Sequence, residues 1–130
     1  MRLALTDDHE KVRLASLLAL AVREEPGIEE ILLVQGLGDS DLWVRYRAAE
    51  ALGVRRAGAA LPALTLIAKS DREPSILRRI AVEALGQLGD LRARETISEL
   101  MWAHNPDVSA AAAQALDALE GGEEGVDPWK

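Results

Sequence analysis

Residues 44–53 read VRYRAAEALG, and the phrase returns at 77–86 as LRRIAVEALG. Two looser copies keep the same register, VRLASLLALA at 12–21 and VSAAAAQALD at 108–117, so the copies are nearly evenly spaced along the chain. In every copy seven residues separate the leading aliphatic from the Ala-Leu pair, two helical turns, so the same face is rebuilt each time. At about 100° per residue, Val44, Ala48, Ala51 and Leu52 share one stripe. So do Val12, Ser16, Ala19 and Leu20, then Leu77, Ala81, Ala84 and Leu85, then Val108, Ala112, Ala115 and Leu116. Each copy is predicted as one amphipathic helix whose central alanines admit a close neighbour.

The segments between the copies, 27–37, 59–70 and 91–104, read as shorter helices. Pro62 suits a first turn, where no amide proton is needed, and Gly53, Gly86 and Gly89 suit helix ends. Asp39 and Asp41, Asp71 and Glu73, and Asn105 and Asp107 are expected to open the repeated helices. The unit is therefore helix, turn, helix, about 32 residues long. The expected fold is all-α, a right-handed α-α superhelix of about four helix-turn-helix repeats over residues 1–120, the first of them truncated. Residues 121–130, GGEEGVDPWK, read as a flexible acidic tail, with Trp129 a docking anchor or packed back loosely. The opening RLALTDD reads as the end of a first helix. Leu14, Leu17 and Leu18 would then be undercovered, packing by local rearrangement or docking another chain, a second copy of this one or a missing upstream segment.

Composition supports helices and narrows the chemistry. Of 130 residues, 48% are apolar, but only three Trp and one Tyr are aromatic, and Phe is absent. The net charge of −7 disfavours nucleic acid as partner unless a local basic stripe intervenes. Cysteine is absent, which removes thiol catalysis, thiolate metal sites and disulfides. Without a signal-peptide core or an apolar run of spanning length, the expectation is a soluble cytoplasmic protein, not a membrane one.

The phrase D-x-x-V-R-x-x-A-x-x-A-L-G, Asp41 through Gly53, resembles the short HEAT-like repeat first associated with phycobilisome bilin lyases. The resemblance covers most of residues 3–120. It implies a solenoid whose second helices line a concave side, and structural Arg-carboxylate pairing for Arg13, Arg45 and Arg78. The fourth copy departs from it, with Ser109 at the Arg position and Asp117 at the Gly position, as suits a terminal cap.

Reagents for catalysis are few. His9 and His104 are the only histidines, both read as surface or capping residues, and no Gly-x-Ser-x-Gly elbow or glycine-rich phosphate loop occurs. HEAT-like di-iron hydroxylases carry repeated His-Glu pairs at a fixed place in the repeat. The corresponding places here are Leu14-Ala15, Tyr46-Arg47, Arg79-Ile80 and Ala110-Ala111, and His9-Glu10 lies out of register. No catalytic, cofactor or metal site is assigned.

What remains is the concave surface. Reading the repeats opposite the buried stripe gives four columns: Lys11, Trp43, Ile76, Asp107; Leu14, Tyr46, Arg79, Ala110; Ala15, Arg47, Ile80, Ala111; and Leu18, Glu50, Glu83, Gln114. The middle repeats thus gather Trp43, Tyr46, Arg47, Glu50, Ile76, Arg79 and Glu83, rich in the residue types of interface hot spots. Trp102 is expected to pack or to make a convex-side contact. The leading reading is a noncatalytic scaffold gripping a protein or peptide on that face, without a cofactor. The alternatives are a bilin lyase or chromophore chaperone using the same groove, with Arg47 or Arg79 toward the propionates, and DNA-lesion binding as in HEAT-like glycosylases.

Overall fold

The computed structural model describes residues 5–121; Trp129 and the rest of 122–130 lie outside the described residues. Seven helices follow one another without a strand among those residues. They are α1 (Glu10–Ala21), α2 (Ile28–Ile31, running on as a π-helical turn Leu32–Gly36), α3 (Leu42–Val54), α4 (Leu61–Lys69), α5 (Ser75–Leu88), α6 (Arg94–Leu100) and α7 (Pro106–Gly121). Short 3-10 turns at Gly58–Ala60 and Leu91–Ala93 lead into α4 and α6. The repeated phrases are α1, α3, α5 and α7, which stack on one another in chain order. Each of α3, α5 and α7 also packs on the shorter helix before it, while those shorter helices touch one another little. The core runs between the two layers through Leu17, Leu32, Leu52, Leu64, Leu77, Leu85 and Ile97. No helix among the described residues is long and apolar enough to cross a membrane.

Helix starts follow local chemistry. His9 Nδ1 accepts from the Lys11 amide, Asp41 accepts from the amides of Trp43 and Val44 at 3.0 and 3.1 Å, and Asn105 accepts from those of Asp107 and Val108 at 2.9 and 3.3 Å. At α5 the expectation of an acidic cap is not met: Pro74 holds the N-cap without a side-chain acceptor, Asp71 is exposed, and Glu73 turns to Arg45.

The glycine reading is corrected at Gly86. Gly89 does end α5, at φ +68°, the left-handed region glycine adopts without a Cβ penalty. Gly53 lies in the last turn of α3, one residue before its end, whereas Gly86 lies inside α5. A Cβ built on Gly53 would stand 2.8 Å from the Ala84 Cα, and one on Gly86 would stand 2.9 Å from the Ala115 Cβ. They are points where successive second helices touch. Beyond the end of α3 the chain turns at Arg56, φ +53°, where the Arg56 and Ala57 amides turn back to the carbonyls of Gly53 and Leu52.

Three further expectations change. The segment 91–104 is helical only from Arg94 to Leu100 after its 3-10 turn, so Trp102 and His104 sit in the following loop. Leu17, expected to be undercovered, is buried against Gly36, whose missing side chain makes room for it. Val12 and Ala19, expected in the buried stripe, are exposed instead.

Candidate functional site

Asp41 caps α3 through the Trp43 amide, which fixes where the Trp43 side chain leaves the helix start. Its ring is 49% exposed and meets Tyr46, one turn on, edge to face at 5.8 Å between centroids and 68° between planes. The Arg47 guanidinium lies over the Tyr46 ring at 5.5 Å. Arg47 also bonds Glu50 at 2.9 Å, and on α5 Arg79 bonds Glu83 at 3.3 Å, so each cation of this face already holds a carboxylate within its own helix. Ile76 and Arg79 line a groove of about 580 Å³ with Pro74, Ser75 and Asp107, between the starts of α5 and α7.

The expected columns hold only in part. Ile80 and Ala111 are buried, because the crossing of one second helix with the next takes up that side. Trp43, Tyr46, Arg47, Glu50, Ile76, Arg79 and Glu83 remain at least half-buried to exposed, Trp43 and Arg47 the most open of them.

The three arginines after the leading aliphatic each reach a partner outside their own helix. Arg13 Nε donates to Asp39 at 2.8 Å and its Nη1 to the Asp7 and Asp8 carbonyls, and the bond to Asp39 holds its guanidinium above the ordinary pKa. Arg45 forks onto Glu73 at 2.9 and 3.1 Å. Arg78 pairs with the exposed Asp71, near the start of α5, at 3.7 Å, and its Nε donates to the Ala68 carbonyl at 3.1 Å. Arg55, which the repeat alignment does not single out, closes α1 from below by donating to the Ala21 and Arg23 carbonyls at 3.0 and 2.7 Å.

A second surface was not legible in the sequence. Trp102 is 85% exposed, not packed, and borders a groove of about 360 Å³ with Lys69, Glu99, His104 and Asn105. The one available signal was that Trp102 stands three residues ahead of the Asn105 cap, too close to belong to the preceding helix. Among the described residues no three His, Asp or Glu side chains are grouped to hold a metal ion.

A chain of stacked helix pairs with a face of aromatic and charged side chains defines an α-solenoid. The HEAT repeat family matches residues 1–76 and 61–128, and the chain belongs to it. Among solved structures, human deoxyhypusine hydroxylase in complex with glycerol is similar, with a TM-score of 0.82 and 24% identity over 96% of this chain and 44% of that one. The likeness is one of fold, and the chain spans under half the length of that structure. Among curated proteins no sequence match is found.

Proposed function

We propose that this protein is a noncatalytic interaction module that binds a protein or peptide partner on its second-helix layer, through Trp43 and Tyr46 with Arg47, Glu50, Ile76, Arg79 and Glu83 around them. HEAT repeats generally serve as interaction scaffolds, which gives the coarse reading. The observation that carries the finer one is Trp43. In a chain with four large aromatics, one stands half out of the surface beside a second on the same helix. Close contacts run along the second-helix layer and not along the first, and a stack curves toward its tighter layer, which supports a concave face there. The partner lies across α3 and α5, its apolar part on Trp43 and its polar part in the Ile76–Arg79 groove.

The bilin lyase and lesion-binding readings need cations free for propionates or phosphates. Arg47 and Arg79 instead hold Glu50 and Glu83, which favours a mixed-charge protein surface as ligand. The kinship with bilin-lyase-type repeats rests on the phrase from Asp41 to Gly53 alone. Affinity capture with the wild type and with Trp43→Ala/Tyr46→Ala tests the proposal. Partners lost by the double variant while circular dichroism shows it folded support it, and identical partner sets sink it. A shifted visible band on mixing with free bilin, or duplex binding with a steep salt dependence, would favour one of the other readings.

A further inference from the structure

At the first two repeat junctions the arginine of one second helix is neutralised by the loop that leads into the next. Arg13 forks onto Asp39, in the loop before α3, at 2.8 and 3.1 Å, and Arg45 onto Glu73, in the loop before α5, at 2.9 and 3.1 Å. At the third junction that carboxylate is missing. The loop before α7 carries Trp102, Ala103 and His104, and counted back from the leading aliphatic, Ala103 stands where Asp39 does and His104 where Glu73 does.

Arg78 is nevertheless the most buried of the three, its side chain 9% exposed. Its one ion pair among the described residues runs to Asp71 at 3.7 Å, beyond hydrogen-bond reach, and the Asp71 side chain is 96% exposed. Its Nε is taken by the Ala68 carbonyl, whereas neither terminal nitrogen donates a hydrogen bond among the described residues or is sealed from solvent. A buried guanidinium with so incomplete a set of acceptors is costly. Arg78 lines the groove of about 360 Å³ that Trp102 borders. Trp102, 85% exposed, and Leu100 make part of the lining apolar, and Lys69 pairs with Glu99 at 3.8 Å. The charge left without a matched partner is Arg78.

We propose that this groove binds an acidic side chain of a protein partner. Its carboxylate takes on Arg78 the place that Asp39 and Glu73 take on Arg13 and Arg45, and an apolar neighbour in the partner's sequence lies on Trp102. A carboxylate is favoured over a phosphate group because both precedents in this chain are carboxylates, and because Asp71 and Glu99 at the groove repel a second negative charge. The site shares no residue with the Trp43 surface, so either can fail without the other.

A blocked tripeptide, acetyl-Leu-Glu-Leu-amide, titrated into the full chain and followed by NMR, tests this. The Arg78 guanidinium and Trp102 indole signals are expected to shift together and to saturate, and the peptide with Gln in place of Glu to bind about tenfold more weakly. Asp71→Asn removes the competing carboxylate and tightens binding. His104→Glu supplies the missing internal carboxylate at the Glu73 position, so it raises the melting temperature and abolishes the response, while His104→Gln leaves the response as in the wild type. Equal binding of the two peptides, an undiminished response in His104→Glu, or no saturable response overturns the proposal. So does saturation by inorganic phosphate without a response to the peptide.

Discussion

At Gly53 and Gly86 the absent side chain lets one repeat touch the next, so these positions should resist even the smallest addition. Alanine would gain about 1 kcal/mol of helix propensity but force backbone apart at Ala84 or Ala115, and overpacking of that kind costs about 1–3 kcal/mol. The contact at Gly53 is the tighter, with Gln87 also in the way. Gly53→Ala is therefore expected to lower stability by about 1–2 kcal/mol in thermal or urea unfolding, and Gly86→Ala by somewhat less. Gly58 has nothing within 4 Å of a built Cβ and an ordinary φ, so Gly58→Ala should be neutral or slightly stabilising. Arg56 gives the opposite sign. It occupies a left-handed position that glycine takes freely, so Arg56→Gly is expected to raise stability by about 1 kcal/mol.

At the scale of elements, the starts of the second helices differ in what secures them. Asp41→Ala removes the acceptor for two amides of α3 and should cost about 1 kcal/mol in unfolding experiments. The 3-10 turn ahead of α6 is held by Asp90, which accepts from the Arg92 amide and pairs with its side chain. Those bonds hold the Asp90 carboxyl below its ordinary value. A carboxyl with a depressed folded-state pKa adds stability above the usual carboxylate range and loses it as pH falls through the folded value. An NMR titration should therefore place its midpoint below 3.8, and Asp90→Asn should flatten the acid limb of the stability curve. The elements themselves were largely legible, because Ala-Leu spacing, Pro62 and the Asp41 and Asn105 caps are local signals. Their ends were not. Whether Gly53 stops a helix or lets another one close depends on Ala84 in the following repeat, and no local signal distinguishes the two.

For the whole molecule, period and phrase were enough to specify a solenoid, since each repeat buries its stripe only against its neighbours. The candidate surface was half legible. A helical wheel places Trp43, Tyr46 and Arg47 away from the core, but the crossing of α5 with its neighbours covers Ile80, and the short α6 releases Trp102. On the proposed function, recurring letters build the stack and non-recurring ones meet a partner. Stability and partner capture measured side by side test that division most directly. Trp43→Ala/Tyr46→Ala is predicted to abolish capture below its melting transition, at a stability cost of about 0.5–3 kcal/mol because Tyr46 packs partly buried against the core. Gly53→Ala is predicted to lower stability and, below its melting transition, to capture partners as the wild type does. Capture retained by the aromatic double variant, or lost by the folded glycine variant alone, would contradict it.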